Sequence, residues 1–391
     1  MIATYHDSSE RLSGCSDHRR TKSICKVLFV RSNSLKADPR AIKEVRTLGS
    51  AGFQVVVARW NREKCKKAFP SKAFRFRTRT LDHRSQYGGI TVGLHIPFFW
   101  AWTFLVCLME RPRIIHACDL DSAVPIVLFR WISRKHLFVF DIYDRYGFSI
   151  VPRGFSLIRR AATFMEELVA SKADLVVVAS SNVLNTFRRF RLRRFVTVLN
   201  APRKTAPVIE YAHSRPTRLY MSHVGREGLL VWKAMSGIRD LELHISGRIR
   251  DREATAILRY SNVKYHGLLT FEQVLRLEES VDAIIVLYDP KVTARSELGL
   301  MESNRFLEGL TLGKVVITNL KGSISEAVGC IFVDYAEPEL RRAFQWIAEN
   351  REEARRLGAQ GRLLAERLDL FWENQARSLL SSYSEMLSPV E

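Results

Sequence analysis

An arginine and a glutamate three residues apart, Arg305 and Glu308, follow the polar pair Ser303-Asn304 at the start of a run with helical spacing. A helix that opens there leaves its first backbone amides free, and such amides can point at a diphosphate. Arg305 adds a planar cation for the same oxygens. Glu308, one turn on, can accept two hydroxyls of a ribose. The plainer reading is an Arg–Glu surface pair worth a few tenths of a kcal/mol. Gly225-Arg226-Glu227-Gly228 and Ser246-Gly247-Arg248 each follow a predicted strand. Small residues there let a backbone approach a nucleotide, or simply turn the chain. In the first half, His116 and Asp119 fall at a strand end facing a predicted cleft. The alternative is a histidine bonded to neighbouring backbone and an aspartate capping the next helix.

Other chemistries are excluded by what is missing. The loop after the first strand, Ser32 to Pro39, has neither GxGxxG nor a Walker A lysine, and the chain holds no HExxH or GxSxG. Six cysteines without a CxxC pair give no disulfide framework and no zinc site, and fit a reducing cytosol.

These residues need elements to hold them. Lys26–Arg31 and 53–58 are short apolar strands around a helix that Asp38 caps, Pro39 opens and Gly52 closes, with Ile42, Val45 and Leu48 on one face. Strands apolar almost throughout belong to a parallel sheet covered on both faces. Further strands are predicted at 113–117, 136–141, 174–179 and 195–199, then at 218–221, 241–245, 263–266, 283–287 and 315–318. Thr270 with Gln273, and Ser323 with Glu326, have capping-box spacing. The fold class is α/β: two tandem doubly wound Rossmann-like domains facing across a cleft. The predicted division is a disordered basic tail (1–24), a first domain (25–203), a second domain (204–370) and a C-terminal helix (371–391) packing back on the first.

Several segments resemble glycosyltransferases of the GT-B fold, most of all glycosyltransferase family four. They are Asp38-Pro39-Arg40 with the strand ending Arg59-Trp60-Asn61-Arg62, Ile115-His116-Ala117-Cys118-Asp119, Asp141-Ile142-Tyr143-Asp144, and Asn304 to Ile317 with Glu308 and Gly313 inside it. The resemblance implies a retaining, metal-independent hexosyl transfer from a UDP- or GDP-linked sugar. It implies an acceptor in the first domain and the donor in the second, Glu308 on the ribose and Arg226 on the diphosphate. No match for the family's partner lysine is found. The residues carried over to the catalytic side are Asp144, Tyr143, His116 and Asp119; Gly225, Arg226, Gly247, Ser303, Asn304, Arg305 and Glu308 form the donor site. Two departures stand out. Tyr143 occupies the place of a histidine that helps hold the transferred sugar, and Glu302 and Glu308 are too close in sequence for the usual E-x7-E pair. Asp119-Leu120-Asp121 spells a metal motif but lies in the acceptor half, so no metal is expected.

The chain of 391 residues is 47% hydrophobic with a net charge of +20, and its first 200 residues carry that whole excess, 35 basic against 15 acidic. Such a field attracts anionic surfaces. Phe74-Arg75-Phe76-Arg77-Thr78-Arg79 alternates as a strand with its arginines on one face, and Arg188 to Arg194 interleaves apolar residues similarly. The uncharged stretch from Gly88 to Met109 reads as a buried helix or one dipping into a bilayer surface, with aromatics at 98–104 at the interface. The expectation is a peripheral protein on the cytosolic membrane face, acting on a lipid-linked or envelope saccharide, without nucleic acid. A catalytically silent GT-B-like partner subunit and a basic nucleic-acid-binding protein are the alternatives.

Overall fold

The computed structural model describes residues 25–35, 38–62, 76–85, 90–151, 154–204, 216–249, 251–290, 303–320 and 328–388. The Ser323–Glu326 capping box, Glu302, Phe74, Arg75 and the tail lie outside them.

Seven parallel strands form the first sheet: β1 (Lys26–Arg31), β2 (Gln54–Trp60), β3 (Arg77–Leu81), β4 (Ile114–Cys118), β5 (Leu137–Ile142), β6 (Leu175–Val178) and β7 (Phe195–Thr197), in the order β3-β2-β1-β4-β5-β6-β7. Alternate side chains of β1 feed two cores. Leu28 and Val30 pack under helices α2 (Ile90–Glu110), α3 (Asp119–Ile132) and α4 (Ser156–Lys172). Val27 and Phe29 pack on the other face, under α1 (Pro39–Ser50) and the C-terminal helix Trp372–Leu387. A short helix, α5 (Ser181–Leu184), follows β6.

The second sheet has six parallel strands: β8 (Thr217–Val224), β9 (Leu241–Ile249), β10 (Val263–Tyr265), β11 (Ala283–Val286), β12 (Val315–Thr318) and β13 (Cys330–Phe332), ordered β10-β9-β8-β11-β12-β13. Helices α6 (Arg226–Met235) and α9 (Glu337–Glu349) cover one face. Helices α7 (Phe271–Glu279), α8 (Asn304–Leu312) and the end of α10 (Arg351–Arg367) cover the other. In each sheet the strand order reverses once, between β1 and β4 and between β8 and β11, which opens a crevice at the carboxyl ends there.

The C-terminal helix, α11 (Trp372–Leu387), belongs to the first lobe's core. Trp372 donates from its indole to Thr47 at 3.0 Å and from its backbone to the Pro202 carbonyl at 2.8 Å. Gln375 accepts from the Leu199 amide at 2.8 Å. The chain thus crosses between the lobes twice, at adjacent points.

Three local expectations are corrected. Helix α1 buries Arg40, Lys43 and Glu44 along with Val45 and Leu48, because α11 and the crossing segment cover its polar side; Ile42 instead lines an interlobe cavity. Arg77 and Arg79 do share a face of β3, but both reach the buried carboxylate of Glu110, at 3.8 and 2.6 Å, so part of that charge is neutralised. In α2, Phe99 is fully buried, Trp100 donates to the Asp121 carbonyl at 2.8 Å and Phe104 packs edge-on against Phe129; of the large 98–104 aromatics only Phe98 is open, 64% exposed. The outward stripe of α2 is Leu94, Phe98, Leu105, Leu108 and Met109. The helix is long and apolar enough to cross a membrane, yet it is the β3–β4 crossover and Phe99, Thr103, Val106 and Cys107 are completely covered.

Candidate active site

The first lobe's crevice is filled by a network of charged and aromatic side chains. Arg31 ends β1, where its guanidinium pairs with Asp38 at 2.7 Å and with Asp119. Arg40, in the first turn of α1, pairs with Glu44 at 2.9 Å and Asp141 at 2.8 Å. Asp141 also meets His116 at 3.1 Å, and the other ring nitrogen of His116 meets the Tyr383 hydroxyl at 2.6 Å. Burial drives the ionisable groups toward neutrality. It lifts Glu44 to about 8, helped by Asp141 and opposed by Arg40. It lowers His116 to about 4, against the pull of Glu44. It raises Asp119 to about 6 despite Arg31.

His116 is therefore not at an open strand end. It is the third residue of β4, without exposed surface, stacked on Phe29 and sealed by Tyr383. Asp119 does stand at the crevice, at a positive φ of 64° that a non-glycine residue rarely adopts. Its carboxylate accepts the amides of Tyr143, at 2.9 Å, and Asp144, at 3.4 Å, and so fixes the turn after β5. Tyr143 donates its hydroxyl to Glu44 at 2.8 Å, and Arg31 and Arg40 lie over its ring at 4.3 and 4.5 Å. In this arrangement the hydroxyl points into the protein, onto Glu44. Asp144 is half-buried beside it.

Glu44, His116, Cys118 and Asp141 place potential ligand atoms within 4.8 Å of one another. Arg40 pairs with one oxygen of each of the two carboxylates, and His116 faces the other oxygen of each.

In the second lobe, Ser303 caps α8 by backbone only, with no side-chain bond to the first amides, and is buried; Asn304 is exposed at the first helical position. Arg305 pairs with Glu308, and also with Glu278 of α7 at 2.7 Å. Burial and the neighbouring Glu308 push Glu278 well above the usual carboxylate range. The Arg305 side chain keeps 24% of its surface open, so the pair is not a surface salt bridge but a cation held between two buried glutamates with one side free. Burial raises Tyr220 to about 12, and its hydroxyl bonds Ser246 at 2.8 Å.

Gly225 caps α6 directly after β8. Arg226 follows with a side chain 71% exposed, 3.3 Å from Asp251. Gly247 is not in a turn, because β9 continues to Ile249. It faces an irregularity in β8 at His223, whose φ is +65°, and a Cβ on Gly247 would lie 3.2 Å from the His223 nitrogen. The close approach serves the bulge. Sequence reasoning missed Glu278, Arg31 and Arg40. Glu278 did leave a signal, an acid one helical turn from Val274 on the face α7 buries.

The lobes meet between α1 on one side and α7 with the end of α8 on the other. Lys43 donates to the Ala201 carbonyl at 2.5 Å; burial lowers it to about 7, opposed by the charge of Glu308. A cavity of about 290 Å³ beside it is lined by Ile42, Arg46, Arg203, Phe271 and Leu312 among others.

No protein-family model and no curated protein matches the sequence. Solved structures do match. A sucrose-phosphate synthase from Thermosynechococcus elongatus aligns with a TM-score of 0.70 at 17% identity, over 93% of this chain and 99% of its own. Anabaena HepE in complex with UDP and glucose aligns at 0.69 and 13% identity, over 92% and 99%. The fold is GT-B. A UDP-GlcNAc 2-epimerase from Neisseria meningitidis bound to UDP-GlcNAc shares it at 0.57 and 9% identity, over 92% and 100%. At such identities the likeness establishes the GT-B architecture, and the chemistry rests on the residues above.

Proposed function

We propose that the protein is a glycosyltransferase that moves a hexosyl group from a UDP- or GDP-linked sugar, held in the second lobe, to a lipid-linked or envelope saccharide held by the first, at the cytosolic membrane face. The observation that carries the reading is Arg305, fixed by Glu278 and Glu308 at the uncapped start of α8. Free amides and a guanidinium there can neutralise a departing diphosphate without a metal, and the sequence resemblance assigns Glu308 to the ribose. A neighbour of the same fold holds UDP and glucose. Retention and family-four membership follow from the sequence resemblance. The membrane assignment is supported by the outward apolar stripe of α2 and the charge of the first half.

A thermal-shift screen with UDP-, GDP- and CDP-sugars tests the donor site: one of the first two raises the melting temperature, and Glu308→Ala removes the rise. A full response from that variant overturns the ribose assignment. The second reading is a catalytically silent partner subunit, favoured by the engagement of Tyr143 with Glu44. It binds the same donor but releases no nucleotide, so a nucleotide-release assay separates the two.

A further inference from the structure

A pocket of about 260 Å³ opens between the N-terminal half of α4 and the π-helical turn Tyr146–Ile150, which follows Tyr143-Asp144. Arg159, Arg160 and Arg189 converge on it with Ser156 and Thr163. Several other arginines of the lobe are matched to acids: Arg77 and Arg79 with Glu110, Arg130 and Arg193 with Asp174, Arg145 with Glu166. Among the described residues no carboxylate lies within ion-pair distance of these three. Arg159 bonds only the Gly147 carbonyl, at 2.8 Å through Nε, which aims its other two nitrogens, and the nearby Glu167 accepts the Arg189 backbone amide rather than its side chain. Helix α4 adds no competing anion, since its first turn has no acid and its cap residue, Phe155, offers its amides no side-chain acceptor. Three guanidiniums and the Ser156 hydroxyl make a site for phosphate oxygens, while the Thr163 hydroxyl donates to the Arg159 carbonyl at 2.8 Å and holds the wall.

The rim is equally specific. Phe155, Leu157, Ile158, Phe164 and Met165 run along the outer face of α4 from the pocket's mouth, and Leu157 is 77% exposed. An inorganic ion or a sugar phosphate has no use for such a stripe. Gly147 stands three residues from Asp144, which places the pocket within about 10 Å of the first-lobe crevice. Glycine is required there, because a Cβ would collide with the Thr163 side chain and the Arg159 carbonyl. We infer that this pocket binds the phosphate ester of the acceptor, with the ester's apolar chain lying along α4. The inference rests on the proposed lipid-linked acceptor and names its anionic group.

Calorimetric titration of the full chain tests it, with farnesyl phosphate as the probe and farnesol, inorganic phosphate and glucose 6-phosphate as comparisons. Farnesyl phosphate is expected to bind at least tenfold tighter than each of the three. The Arg160→Gln/Arg189→Gln double variant, changed at two exposed positions, is expected to lose at least tenfold in that affinity while UDP affinity and melting temperature stay unchanged. Equal binding of farnesol or free phosphate overturns the inference, as does unchanged affinity in the variant or equal displacement by a short single-stranded RNA. Vesicles of phosphatidylglycerol form the last arm. A variant that loses vesicles but keeps farnesyl phosphate would assign the pocket to bilayer headgroups and overturn the acceptor reading. Failure of the wild type to bind any nucleotide sugar, with farnesyl phosphate binding intact, would sink the glycosyltransferase reading and leave the pocket standing.

Discussion

The two lobes each hold buried acids around an arginine, but they hold them differently. In the first, Arg40 is almost wholly enclosed and shared between Glu44 and Asp141, with His116, Tyr143 and Tyr383 closing the ring. In the second, Arg305 sits between Glu278 and Glu308 with an open flank at a helix start. The first cluster joins β4, β5, α1 and α11; its partners are all protein. The second buries its two carboxylates and leaves only the Arg305 flank open. Similar inventories thus give a closed fastening in one lobe and, in the other, an arginine open to solvent where we propose the donor binds.

Substitutions can break this contrast. Arg40→Met leaves two buried carboxylates facing each other and should cost about 3–5 kcal/mol, read as a fall in denaturant midpoint. His116 comes next. The unfolded chain takes up its proton near 6.5 and the folded chain only near 4, so the unfolded state binds more protons between those values and stability falls as pH drops through them. The loss is about 3 kcal/mol over that window, and the difference between wild type and His116→Gln should show it in urea titrations at pH 6.5 and 4. Arg305→Met should cost only about 1–2 kcal/mol, because Glu278 can carry a proton and the site reaches water, yet it should erase the nucleotide-dependent thermal shift. If it destabilises as much as Arg40→Met, the distinction between closed fastening and open arginine fails. Tyr383→Phe, which removes one hydrogen bond to His116, should cost about 1 kcal/mol and leave donor binding unchanged.

Much of this was legible in the residues. Apolar β-branched runs marked nearly every strand, Asp38 and Thr270 marked helix starts, and the polar pair Ser303-Asn304 marked the start of α8. Other features depend on contacts between distant segments. Strand β13, three residues and partly exposed, carries too little pattern. Arg40 and Glu44 look like a solvated helix face until α11 covers them, and Glu278 gains its meaning only when α7 meets α8. The direction of the Tyr143 hydroxyl follows from Glu44, ninety-nine positions away in the chain. Gly247 read as a turn because nothing nearby in the sequence announces the bulge at His223.

The seal between His116 and Tyr383 spans 267 positions. During synthesis, β1 to β7 leave the ribosome long before the helix that completes their core, so the first lobe waits with one face only part-covered, by α1, while the whole second lobe is made. The two lobes therefore mature out of order: the one translated first is finished last.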